Sequence, residues 1–240
     1  SYAVDSPSTS GKTFLAVGTN VSTVVQREEN AAFQIIANIL FNSDGSPLKN
    51  NIISSGFCKD FGGFYLATSS YKTMMITYVV GSEVAHRYDF LALYRRSLEK
   101  MVEDGLDHDL VLAELNKYEF AFREEASKAQ RGLDLIGKAM TGLRYKTDPI
   151  VHLMSEELIR TLRHKALEES YFEELIPSYL LDNPSTATVT LQPDPNKQRE
   201  NDAREQERLA AYDARLSDEE RAARIDRTRE LMRQQQQPNS

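Results

Sequence analysis

The sequence is poor in residues that carry chemistry by themselves. Its 240 residues include one cysteine, Cys58, four histidines and no tryptophan. A single thiol excludes an internal disulfide and any multi-thiolate metal centre, and it fits a reducing compartment. No histidine lies near Cys58 in sequence, so it reads as a small apolar residue rather than a nucleophile. No stretch approaches the roughly 18 consecutive apolar residues of a membrane span. Residues 1–10 are polar and lack the basic start and apolar run of a secretory signal. There is no excess of positive charge either: the formal net charge is −7, which leaves no electrostatic case for nucleic acid.

Metal and phosphate motifs are missing in a specific way. Two imidazoles reach one metal from one helix face only when they sit about a turn apart, and His86, His108, His152 and His164 contain no such pair. The nearest approach is His152 with Glu156 at i,i+4, which reads as a solvated helix pair. Gly11-Lys12-Thr13 lacks the earlier glycine and the preceding strand of a phosphate-binding loop, since Ser6 stands where that glycine belongs. Gly62-Gly63 lacks dinucleotide-binding spacing and reads as a turn. Acidic pairs such as Glu156-Glu157 and Glu168-Glu169 recur, with nothing to mark one as a general acid or base. The residues thus supply no catalytic, cofactor-binding or metal-binding candidate.

What is present is a large apolar body and a polar tail. Hydrophobic residues make up 40% and charged residues 27%, ordinary globular values. Residues 13–193 hold nearly all the aromatic and branched aliphatic residues, so a sizeable core belongs there. Alternation predicts a strand over 12–21. Ala31, Ile35, Ile36, Ile39 and Leu40 then share one helical face, with Ser22 or Thr23 placed to cap that helix. Asn42 to Pro47 is a dense turn signal, and a short helix over 48–55 is closed by Gly56. The runs 64–69 and 73–80 read as a β-hairpin whose second strand, apolar on both faces, belongs in mid-sheet.

Further on, Ser82–Asp104 has the spacing of an amphipathic helix, with Val84, Tyr88, Leu91, Leu98, Met101 and Val102 inward and Ser82 as its cap. Asp107 is placed to cap a helix through Phe122, and 133–143 reads as a shorter helix whose apolar stripe belongs to the core by default. Asp148-Pro149 is a start signal for two more helices, to about His164 and from Ala166 to Leu181. Thr186–Leu191 is a last strand, ended by Pro193 and Pro195.

After Pro195 the character changes. Residues 197–233 hold ten basic and ten acidic residues, so the whole negative charge resides elsewhere. Leu209, Tyr212 and Leu216 form one thin stripe, and Ala222, Ile225 and Met232 another. Between them Ser217-Asp218-Glu219-Glu220 is a capping-box pattern. Interleaved charges suit a solvated helical hairpin and are poor for phosphate binding. The expected fold class is α+β, an antiparallel-rich sheet packed by helices and followed by a charged helical hairpin. The expected organisation is a flexible lead-in over 1–11, an α+β domain over 12–195, a hairpin over 196–233 and a disordered tail over 234–240. The sequence opens without methionine, which points to a piece of a longer protein.

Several strings resemble one family. Asp44-Gly45-Ser46-Pro47-Leu48 followed by Ile53-Ser54-Ser55-Gly56 is similar to a segment of the pitrilysin/insulinase superfamily of zinc metallopeptidases. Gly142-Leu143-Arg144-Tyr145-Lys146-Thr147-Asp148-Pro149 resembles a string of its presequence-protease branch. Asn183-Pro184, Thr186–Leu191, Pro193-Asp194-Pro195 and Leu216-Ser217-Asp218-Glu219-Glu220 resemble that branch's exit from its second domain into a linker hairpin. The likeness covers roughly 12–230.

The resemblance implies a parent of four related α+β domains in two halves, closing around a chamber that admits peptides. It places zinc in the first domain, on an H-x-x-E-H motif, and an Arg and a Tyr of the active site in the last. This chain would be the non-catalytic, chamber-shaping second domain, an α/β roll, with the linker. H-x-x-E-H does not occur in it, so no zinc or catalytic residue carries over, Arg144-Tyr145 included. The implied partners are the parent's remaining domains and its short unfolded peptide substrates, not nucleic acid or membrane. The implied location is cytoplasmic, or an organellar matrix in a eukaryote. Two alternatives stay open: a stand-alone interaction or scaffold protein assembling through the hairpin, and a catalytically dead homologue.

Overall fold

A computed structural model describes residues 1–68, 70–125 and 129–237. Period-two alternation decides the sheet. In β2 (Thr13–Thr23), Thr13, Leu15, Val17 and Thr19 are buried, while Phe14, Ala16, Gly18 and Asn20 stay half-buried on the opposite face. In β4 (Lys72–Ser82), Thr73, Met75, Thr77 and Val79 are buried in the same way. With β3 (Asp60–Leu66) and β5 (Thr186–Leu191) these make a four-stranded antiparallel sheet in the order β3-β4-β2-β5. β4 lies inside the sheet, as its two apolar faces demand. Leu15 pairs with Val79 and Val17 with Thr77 in register.

The helices supply the core against the sheet. α1 (Arg27–Ala37) runs into a π-helical turn, Asn38–Asn42, and together they bury Ala31, Ile35, Ile36, Ile39 and Leu40, the expected stripe, along with Ala32 and Phe33. In α2 (Pro47–Ser54) the Ser46 hydroxyl accepts the Lys49 N–H at 3.2 Å and donates to the Leu40 carbonyl at 2.6 Å, with proline at the first helical position. Gly56, at φ +74°, follows it in the left-handed region that favours glycine. α3 (Arg87–Asp104) and α4 (His108–Glu125) follow. The Asp107 carboxylate caps α4, accepting the N–H of Asp109 at 2.9 Å and of Leu110 at 3.0 Å. Then come α5 (Arg131–Arg144), α6 (Glu156–Glu168) and α7 (Tyr171–Ile176), the last running into a π-helical turn at Pro177–Leu181.

Several boundaries differ from the sequence expectation, each for a local reason. Ser22 and Thr23 cap nothing, because β2 pairs with β4 through Thr23; their hydroxyls donate to the side chains of Glu29 and Gln26 instead. Ser82 likewise belongs to β4 and donates to the Phe57 carbonyl at 2.7 Å. The helix starts five residues later, after a 3-10 turn at Val84–His86, and its buried face is Phe90, Tyr94, Leu98 and Met101, leaving Tyr88 75% exposed. Asp148 accepts the Ile150 N–H, but it opens a turn and a 3-10 segment, Val151–Leu153, rather than α6. The break between α6 and α7 falls at Ser170, held at φ +53°. The expected strand over 64–69 begins earlier and ends at Leu66; Ser69 lies outside the described residues.

Contacts divide the chain into two compact units, residues 9–192 and residues 1–8 with 193–240. In the second unit, β1 (Tyr2–Ala3) pairs in parallel with β6 (Pro193–Asp194), so the lead-in contains a strand. α8 (Lys197–Asp213) and α9 (Asp218–Gln235) form the hairpin. Its turn is held by polar contacts. Ser217 and Glu220 make a reciprocal capping box, and the Arg221 guanidinium meets both carboxylate oxygens of Asp213 at 3.1 Å. No described residue of α8 or α9 is buried. Gln234 and Gln235, expected in a disordered tail, close the last turn of α9; residues 238–240 lie outside the described residues.

Candidate functional site

The structure keeps the chemistry-bearing side chains apart. His86 stacks on Phe57 at 5.7 Å, and its Nδ1 lies 3.4 Å from Asp89. His152 Nε2 is 2.9 Å from the Thr147 hydroxyl. It sits in the 3-10 segment before α6, so His152 and Glu156 are not a pair on one helix, contrary to the sequence reading. Burial, then the nearby Arg27 charge, lowers the His152 pKa. His164 Nε2 approaches Glu169 at 3.4 Å, and His108 opens α4. Among the described residues no three His, Cys, Asp or Glu side chains are grouped to hold a metal ion. The zinc that the resemblance implies for its family therefore has no fitting ligand set in these residues.

Cys58 is half-buried, with its thiol 3.9 Å from the Ile52 carbonyl. Burial and then Asp60 push its pKa up, the opposite of what activates a thiolate. Gly62 and Gly63 lie inside β3, not in a turn. A Cβ on Gly63 would come within 2.6 Å of the Phe41 ring, so the glycines admit an aromatic layer against the strand. The Gly11 N–H and the Ser10 hydroxyl both donate to the Glu83 carboxylate, at 2.5 and 2.8 Å, where a phosphate loop would hold an anion. Arg144 lies over the Tyr145 ring, which packs on Tyr71.

One polar cluster escaped the sequence reading. At the head of α1, the Glu28 carboxylate meets Lys165 of α6 at 2.5 Å, and Glu29 accepts from Ser22 at 2.9 Å and Gln26 at 3.0 Å. Lys165 also lies over the Tyr171 ring. Burial, and then the adjoining carboxylates, raise the pKa values of Tyr171 and Tyr179, and the Glu28 hydrogen bond raises that of Lys165. These groups pair with one another and clamp α1 to α6 and α7. No spacing in the sequence could reveal the Glu28–Lys165 pair, since these partners are 137 residues apart. A cleft of about 570 Å³ opens between α4, α5 and α6, with Phe122, Leu135 and Met154 beside interleaved Arg123, Lys138, Arg160 and Glu156. Mixed charges converge on no single point there.

Residues 4–118 match the family model described as the peptidase M16 inactive domain, and residues 191–240 match the model of the segment associated with subfamily C of the M16 peptidases. The chain is 29% identical over 184 residues to protein HypA of Clostridium perfringens, covering 76% of this chain and 19% of that protein. It is 26% identical over 212 residues to the chloroplastic/mitochondrial presequence protease 1 of Arabidopsis thaliana, covering 87% of this chain and 20% of that one. It thus spans about a fifth of the length of these curated relatives. The fold is shared with an inactive peptidase domain from Bordetella parapertussis, at TM-score 0.63 and 11% identity over 80% of this chain and 96% of that one. It is shared also with a protease from Helicobacter pylori, at TM-score 0.57 and 13% identity over 76% of this chain and 41% of that one. The chain belongs to the M16 peptidase family, the pitrilysin/insulinase lineage that its motifs resemble, as a non-catalytic domain followed by the segment associated with subfamily C.

Proposed function

We propose that this chain is the non-catalytic second domain and linker of a presequence-protease-like zinc metalloendopeptidase that degrades short unfolded peptides in an enclosed chamber. The observation that carries the reading is the succession, along one chain, of a match to the inactive domain and a match to the segment associated with subfamily C. The second match starts at residue 191, close to the division between the two compact units at 192/193. In this reading the domain shapes the chamber wall and the hairpin joins the two halves. A hairpin held by Arg221, Asp213 and the capping box, without a core of its own, is suited to a linker. Zinc belongs to the first domain, and the partners of this chain are the other domains and the parent's peptide substrate.

No helix among the described residues is long and apolar enough to cross a membrane. The relatives named for mitochondria and chloroplasts extend the proposed location from the cytoplasm to an organellar matrix. The test is direct. The purified chain should bind no stoichiometric zinc and cleave no peptide, while the longer gene product should carry H-x-x-E-H and do both. Stoichiometric zinc with peptidase activity in the isolated chain would overturn the reading.

A second reading, an interaction protein assembling through the hairpin, draws on the exposure of Leu209, Tyr212, Ile225, Leu231 and Met232. It requires a stable oligomer that is lost on truncation after Pro195, as read by sedimentation.

A further inference from the structure

α5 is amphipathic the wrong way round. Its apolar stripe, Leu133, Ile136, Met140 and Leu143, points outward with 67, 60, 52 and 60% of each residue exposed. The face turned inward carries Leu135, Lys138, Ala139 and Gly142. A surface helix ordinarily does the reverse, because apolar burial is what holds it down. Ile150, just beyond the helix, adds another side chain that is 59% exposed. We infer that this stripe is the seat of a helix contributed by another domain of the longer polypeptide, an inference that rests on the function proposed above.

Three observations name the occupant. The stripe has 3-4-3 spacing, the pattern that receives the side chains of a facing helix. α5 also contains three glycines, which weaken a helix. Gly142 is explained within the chain, since a Cβ there would lie 2.7 Å from the Pro149 backbone. A Cβ on Gly132 or Gly137 would meet nothing within 4 Å, so these two, which flank the stripe, leave room for close approach of a helix from outside. Finally, the ends of the stripe are basic, with Arg131, Arg144 and Lys146 all exposed. That rim opposes a second copy of the same helix and favours an apolar helix with acidic flanks. The chain spans about a fifth of its curated relatives, and the remaining four-fifths of such a polypeptide is where that helix would come from.

The experiment places a reactive thiol in the stripe. Ile136→Cys, in a Cys58→Ser background, is labelled with a maleimide in the 240-residue chain and in the longer gene product. The isolated chain should react rapidly at every protein concentration. The longer product should react more slowly by at least about tenfold, because labelling then waits for the domains to part. Equal rates in the two proteins would overturn the inference. So would concentration-dependent protection of the isolated chain, which would assign the stripe to a second copy. A longer product that has H-x-x-E-H but leaves the introduced thiol unprotected sinks this inference alone; the absence of that motif sinks the functional reading instead.

Discussion

α1 and α5 carry similar apolar stripes and treat them oppositely. Phe33, Ile35 and Ile36 of α1 are wholly buried between the sheet and the neighbouring helices, whereas the α5 stripe faces outward. Periodicity reports that a helix has an apolar face; it does not report whether this chain supplies the surface to cover it. The hairpin goes one step further, with helices that bury nothing among their described residues and a turn fixed by charge and capping.

Mutations can break or sharpen that contrast. Phe33→Ala should have the largest effect, about 3–5 kcal/mol of lost stability in urea unfolding, because a filled position in the core becomes a cavity. A loss below about 1 kcal/mol would mean that α1 is not the core helix described. Ser217→Ala removes the hydroxyl of the capping box, and about 1 kcal/mol of α9 helix stability should go with it. Circular dichroism should show reduced helicity, while the cooperative unfolding of the body keeps its midpoint.

Glu83 makes a smaller, pH-dependent contribution. The Gly11 N–H, then the Ser10 hydroxyl, holds its pKa below the ordinary carboxylate range. A folded-state pKa below the unfolded one gives stability that is present above about pH 4.3 and lost as pH falls through the folded value. Glu83→Gln should therefore lower stability modestly at neutral pH, flatten the acid limb of the profile and converge on the wild type as pH falls through the folded value. The smallest effect belongs to α5: Ile136→Gln should change the unfolding free energy of the isolated chain by no more than about 0.5 kcal/mol. A core-sized loss there would show that the stripe is buried within this chain after all.

Much of the fold was legible because the signals were local. The β2 alternation, the α1 stripe, the Asp107 cap, the Gly56 stop and the Ser217 box all act within a few residues, and each lies where its chemistry pointed. The errors share one cause. Ser22, Thr23 and Ser82 have the chemistry of caps, but the ladder between β2 and β4 claimed their backbone, and no neighbouring residue announces that pairing. Gly62-Gly63 read as a turn because the Phe41 ring that requires them lies some twenty positions away. The cluster around Glu28 and Lys165 was invisible for the same reason.

By itself, then, the sequence determined the elements, the α+β class and the absence of H-x-x-E-H, all properties of residue type and short spacing. Only the tertiary structure decided which of two similar stripes is core. Burial depends on what else lies within contact distance, and the described residues supply nothing that covers the outer face of α5.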